Sequence, residues 1–217
     1  MIYLFEDRKG RQELYLKEKL DNIVLKTALI DCKKSDLTNY LTNHFSDAKA
    51  ILFHSSYSFN DNEITKEDIK KIYIEKKIPF IYFSGGLNNN IVVENGMSNA
   101  NLNSGDMYKN LPIFLQEYKN NNKINVSLLI YGEKYLLNSL LELQSILTYY
   151  FFKKSNDYIL IGNDYEDIID IIDVRIKEDE LKEDKTKLLN WIETEREKQK
   201  LNKQTLLSQI QKLTDNY

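Results

Sequence analysis

Short apolar runs alternate with amphipathic, charged stretches over the first 83 residues of the chain. Ile2-Tyr3-Leu4-Phe5 is apolar throughout and meets the charged turn Glu6-Asp7-Arg8-Lys9-Gly10, which is the pattern of a buried first strand. Leu14, Leu16 and Leu20, set among Glu13, Lys17, Glu18 and Lys19, predict a helix over about Arg11 to Asp21. Ile23-Val24-Leu25 reads as a short second strand, unless the run through Ile30 extends that helix. Ser35 offers an N-cap for a helix carrying Leu37, Tyr40, Leu41 and Phe45. Ala50-Ile51-Leu52-Phe53 is the third strand and ends in His54-Ser55-Ser56. Ile64, Ile69, Ile72 and Tyr73 give one apolar face to a helix over Ile64 to Lys77. Ile78-Pro79-Phe80-Ile81-Tyr82-Phe83 is a fourth strand, closed by Ser84-Gly85-Gly86. Such strict alternation predicts a mostly parallel sheet flanked by helices.

After Phe83 the alternation fails. Only about seven residues precede Ile91-Val92-Val93, fewer than the dozen or more of a parallel crossover. That run is therefore expected as an antiparallel edge strand, or outside the main sheet. Asn95-Gly96 is a turn signal, Ser98 to Ser104 reads as polar loop, and Pro112 is placed near the first turn of a helix bearing Ile113, Phe114, Leu115 and Tyr118. Lys119-Asn120-Asn121-Asn122-Lys123 is the best linker, dividing the chain into an α/β domain of residues 1–122 and an all-helical region of residues 123–217. From Val126 to Phe152 the chain is apolar at helical spacing, with Gly132 as an interruption. Leucines on more than one face predict burial on several sides or pairing with another copy. Tyr158 to Ile161 is a short strand candidate. Asp164 caps a helix with a seam of Tyr165, Ile168, Ile169, Ile172 and Ile176. Leu188, Trp191 and Ile192, then Leu206, Ile210 and Leu213, predict one or two further amphipathic helices packing on the body or on a partner.

Composition narrows the function classes. Hydrophobic residues make up 42% of 217, enough for a substantial core, and the net charge of −3 gives no global field toward nucleic acid or membrane. A single cysteine, Cys32, leaves no intramolecular disulfide and no cysteine-based metal site, and with His44 and His54 the only histidines a zinc site with several histidine ligands is not expected. No apolar run approaches a membrane span, so a cytoplasmic location is expected, and the abundance of Lys, Asn, Ile and Tyr suits an AT-rich bacterial genome.

Four groups of residues carry possible chemistry. Glu6 and Asp7, just past the first strand, offer hard oxygen ligands for Mg²⁺, or are turn charges offset by Arg8 and Lys9. His54 beside Ser55 offers a base and a nucleophile, although adjacent strand residues point to opposite faces. Ser84, a further hydroxyl candidate, leads Gly85 and Gly86 into a turn whose backbone N–H groups could cradle an anion; it lacks the residues of a P-loop. Lys33, Lys34, Lys66, Lys70, Lys71, Lys76 and Lys77 form a phosphate-binding patch only if Glu63, Glu67, Asp68 and Glu75 do not neutralise it.

The β/α order, the acids after the first strand and the hydroxyl of Ser84 after the fourth resemble the receiver domain of bacterial response regulators, a flavodoxin-like fold, over residues 1 to about 118. In that family the acidic pair binds Mg²⁺, an aspartate ending the third strand is phosphorylated, and a lysine follows the fifth. Here the third strand ends in Phe53-His54-Ser55-Ser56, and the fifth-strand candidate ends in Glu94. The resemblance therefore implies a degenerate receiver that cannot take phosphate by the aspartyl route. The leading expectation is a non-catalytic signalling, regulatory or scaffolding protein, with a protein partner or a second copy bound through residues 126–217. The alternatives are a metal-dependent enzyme acting on a nucleotide or nucleic-acid phosphate, and a nucleic-acid-binding regulator using the lysine-rich helix.

Overall fold

The structure, a computed structural model, describes residues 1–8, 10, 24–94 and 97–217. The helix expected over Arg11 to Asp21 and Ile23 of the expected strand Ile23-Val24-Leu25 lie outside the described residues; the second strand instead begins at Leu25. The chain divides into two compact units, Met1–Glu133 and Lys134–Tyr217.

The first unit is built on β1 (Ile2–Phe5), β2 (Leu25–Ala28), β3 (Ala50–His54), β4 (Phe80–Ser84), β5 (Asn90–Glu94) and β6 (Met97–Asn103). They form one sheet in the order β2-β1-β3-β4-β6-β5. Every neighbouring pair is parallel except β5 with β6. Without the antiparallel edge strand β5, this is the 2-1-3-4-5 order of flavodoxin-like sheets. β1 and β3 are buried along their whole length, as expected of inner strands covered on both faces.

Strand alternation separates the two faces. Tyr3, Phe5, Ile51, Phe53, Phe80 and Tyr82 pack in one core with α1 (Leu37–His44) and α2 (Lys66–Glu75), through Leu37, Leu41, Ile69 and Tyr73. Ile2, Leu4, Leu52, Ile81, Phe83 and Leu102 are buried on the other face, where α3 (Ser104–Asn121) meets β4 and β6. α2 starts at a capping box: the Thr65 side chain accepts from Asp68 N–H, and the Asp68 carboxylate accepts from Thr65 N–H. Ser35 does not cap α1; it lies inside a 3₁₀ turn, Lys34–Asp36, that leads into the helix.

The segment read as polar loop from Ser98 to Ser104 contains most of β6, an inner strand between β4 and β5. Its polar residues are tolerated because the backbone is paired on both sides. Buried Asn99 is also used: its Oδ1 accepts from Phe80 N–H at 2.8 Å. The fifth parallel strand therefore ends in Asn103, not Glu94. Pro112 lies inside α3, nearer its middle than its first turn. Ile91-Val92-Val93 does form the antiparallel edge.

The first unit's contacts continue past Lys119–Lys123 through α4 (Val126–Tyr131), which packs on α3. Buried Asn110 of α3 donates through Nδ2 to the carbonyls of Leu129 and Ile130, closing the end of α4. Gly132 follows with φ 57° and ψ −138°, a conformation that favours glycine. A Cβ there would stand 2.7 Å from Asn110 Oδ1.

The second unit packs α5 (Tyr135–Tyr150), α6 (Asp164–Arg175), α7 (Lys182–Glu197) and α8 (Lys203–Thr214) around one core. Leu140, Leu143, Leu147, Ile168, Ile172, Leu188, Ile192, Leu206 and Ile210 are its buried centre. Tyr158 to Ile161 contributes one bridge, Ile159 to Asn202, rather than a strand. Asp164 opens α6, and its carboxylate accepts from Ile161 N–H and from the hydroxyls of Tyr150 and Tyr158.

Gly132→Ala should cost about 1–3 kcal/mol in chemical denaturation, from the backbone conformation and the contact with Asn110. Asp68 is held down to about 2 from its ordinary 3.8, first by Lys34 and then by Thr65. A depressed carboxyl stabilises fully above its unfolded value and loses that contribution as pH falls through its folded one. Asp68→Asn should therefore lower the melting temperature at neutral pH, and the gap from the wild type should close between pH 4 and about 2.

Candidate functional site

β1 and β3 are the strands between which the sheet order reverses, and open α/β sheets bind ligands past the carboxyl ends of such strands. Phe5 pairs with Phe53, so the next residues, Glu6 and His54, follow in step and leave the sheet on the same face. Both are almost fully buried, at 0% and 2% exposure. His54 Nε2 stands 3.9 Å from Glu6 Oε2. Asp7 joins them: one donor atom from each of Glu6, Asp7 and His54 lies within 4.8 Å of the others.

Each member is held by neighbouring backbone. Glu6 Oε1 accepts from Arg8 N–H at 3.1 Å, and its Oε2 accepts from the Tyr108 hydroxyl at 3.3 Å. Asp7 Oδ2 accepts from Ser58 N–H at 3.2 Å, whereas Asp7 Oδ1 is buried and has no hydrogen-bond partner. His54 Nδ1 accepts from Ser56 N–H at 3.3 Å. The ring of Phe83 packs edge-on against both His54 and Tyr108. The loop after β3 thus holds two of the three side chains, and it is itself anchored by Tyr57, whose hydroxyl accepts from Ile30 N–H.

The structure brings His54 to the acidic pair Glu6 and Asp7, from which the sequence reading had kept it apart. Ser55 extends the strand ladder, its N–H donating to Phe83 O. Ser84 is paired with Asn103 across β4 and β6. It leads Gly85 and Gly86 into a neighbouring cluster, where Asn103 Nδ2 donates to Gly85 O and Asn89 Nδ2 donates to Asp106 Oδ2. A Cβ at Gly85 or Gly86 would meet nothing within 4 Å. Asp106 already sets a carboxylate in the first turn of α3, where an anion would approach.

The lysine patch is partly neutralised from within the fold. Lys34 bonds the Asp68 carboxylate and Glu63 O, Lys76 bonds Thr42, and Lys66 lies over the Tyr82 ring. At Cys32, burial and then the carboxylates of Asp36, Asp31 and Asp61 push the thiol up, which disfavours a reactive thiolate. Tyr108 is the site residue that sequence reasoning missed. Its helix was started too late, so its place over the sheet was not seen.

The donor set does not match the Mg²⁺ site implied by the receiver resemblance. Mg²⁺ takes oxygen ligands in a near-ideal octahedron; here the third strand supplies an imidazole nitrogen. The fold and site together define an α/β protein with a flavodoxin-like parallel sheet, a buried His–carboxylate cluster at its switch point, and a separate helical unit. No family model, curated protein or solved structure matches the chain.

Tyr108→Phe should destabilise the first unit by about 1 kcal/mol, since it leaves buried Glu6 without one of its donors. Matched urea titrations of wild type and variant measure this directly.

Proposed function

We propose that this chain is a non-catalytic regulatory or scaffolding protein of the cytoplasm, acting through self-association of its helical unit, with a degenerate receiver-like unit attached. One observation carries the self-association: an exposed, nearly uncharged face on α5. Leu141, Tyr149 and Phe152 are 44%, 82% and 75% exposed. With Gln144, Ser145 and Thr148 they line a shallow groove of about 390 Å³. Leu141, Gln144, Ser145, Thr148 and Tyr149 are spaced to share one stripe of α5, and Phe152 follows in the turn just past its end. Glu142 is the only charged residue among the 16 of α5, in a chain that is 29% charged.

Exposed apolar stripes of this kind mark interaction surfaces. A second copy is the occupant that the charge pattern favours, because an uncharged stripe is complementary to itself and a two-fold contact presents the same patch from both sides. A helix of 16 residues is about 24 Å long, room for Leu141 of one copy to face Tyr149 and Phe152 of the other in an antiparallel crossing. The receiver-like reading of the first unit is supported by its strand order, the acids after β1 and Ser84 after β4. A histidine at the end of β3 supports its being unable to form an aspartyl phosphate.

The wild-type chain should be a dimer by light scattering at high concentration, and the double variant Tyr149→Ser/Phe152→Ser should be a folded monomer. Both side chains are largely exposed, so folding should be unaffected. A monomeric wild type, or measurable nucleotide turnover, would overturn the reading. No helix among the described residues is long and apolar enough to cross a membrane.

A further inference from the structure

We infer that Glu6, Asp7 and His54 form a binding site for a divalent transition-metal ion of the Zn²⁺ type, and that the loop of residues 55–62 responds to its occupancy. The spacing is the first argument. Zn–N and Zn–O bonds are about 2.0–2.2 Å, so two donors on one ion stand roughly 3–4.3 Å apart. The 3.9 Å between His54 Nε2 and Glu6 Oε2 lies in that range and is too long for a direct hydrogen bond. Asp7 completes the set, one of its carboxylate oxygens lying within 4.8 Å of the other two donors.

The second argument is independent of the spacing. Asp7 Oδ1 is buried without a hydrogen-bond partner, although burial of such an oxygen costs free energy unless a partner meets it. A cation between the three side chains would supply that partner. The choice of ion follows from donor chemistry. One imidazole with two carboxylates suits Zn²⁺ and its transition-metal neighbours, whereas Mg²⁺ prefers oxygen alone.

The response of the loop follows from His54. Its Nδ1 accepts from Ser56 N–H, which leaves the neutral ring's proton on Nε2, the nitrogen facing Glu6. An ion bound at Nε2 displaces that proton to Nδ1, which then opposes Ser56 N–H. The Ser56 contact must break. Asp7 is tied to the same loop through Ser58 N–H, so a shift of its carboxylate toward the ion loosens a second tether. Occupancy would thus be read by the segment between β3 and α2, on the surface of the first unit.

The test titrates the purified full chain separately with Zn²⁺, Mn²⁺ and Mg²⁺, using calorimetry for stoichiometry and hydrogen exchange for the loop. The expected result is one Zn²⁺ per chain, bound more tightly than Mn²⁺ and far more tightly than Mg²⁺, with faster exchange at Ser56 and Ser58 on binding. Asp7→Asn, at a partly exposed position and so compatible with folding, should weaken Zn²⁺ about tenfold or more. His54→Asn should do the same, and if that variant fails to fold the Asp7 result decides. Equal Zn²⁺ affinity in Asp7→Asn and wild type, or Mg²⁺ binding as tightly as Zn²⁺, would overturn the site. Unchanged exchange on binding would overturn the loop response. The oligomeric state, measured separately, bears only on the α5 surface.

Discussion

The parallel pairing of β1 with β3 is the constraint on which the first unit depends. Its register sets Phe5 opposite Phe53 in the aromatic core and, one residue on, Glu6 beside His54 on the other face. A slip of one residue would exchange the faces, putting the charged groups among Phe45, Phe53 and Tyr57 and the aromatic rings under α3. Both strands are buried on two sides, so the polar pair cannot escape to water. Burial of such groups is costly without partners. Arg8 N–H, the Tyr108 hydroxyl and Ser56 N–H are the partners that offset it here.

The sheet edge carries two polar clusters with different characters. At β1 and β3, carboxylates and an imidazole converge in a buried space, with one oxygen left unpartnered. At β4 and β6, the groups of Asn89, Asn103, Gly85 and Asp106 satisfy one another in partly exposed positions. A satisfied network rigidifies a turn, whereas an unsatisfied one leaves a role for a ligand. The helical unit has its own imbalance. Its core consumes Leu140, Leu143 and Leu147 of α5, while Leu141 and Tyr149 of the same helix, and Phe152 in the turn just past its end, remain outside it.

β1, β3 and β4 were legible because each is a short, almost wholly apolar run bounded by polar or charged stretches. β6 was not, because Met-Ser-Asn-Ala-Asn-Leu-Asn has no strand-like run of large apolar residues. It is a strand because β4 and β5 offer hydrogen bonds on both sides and Asn99 serves a neighbouring N–H. Missing it moved the end of the fifth strand from Asn103 to Glu94 and started α3 too late, which hid Tyr108. Pro112 misled for a related reason: proline favours a first turn, yet α3 keeps one in its interior.

Local periodicity and glycine signals in the sequence were enough to place β1, β3 and β4, the helix between β3 and β4, the break at Gly132 and the helices of the last 80 or so residues, while the run Ile91-Val92-Val93 was left as either an antiparallel edge or outside the sheet. The sequence also named Glu6, Asp7 and His54, because each follows an apolar run. That His54 meets the two acids is a tertiary fact. Residues 6 and 54 are far apart in the chain, and their meeting depends on which strands pair and in which register. That pairing depends on long-range packing, which no window of neighbouring residues contains.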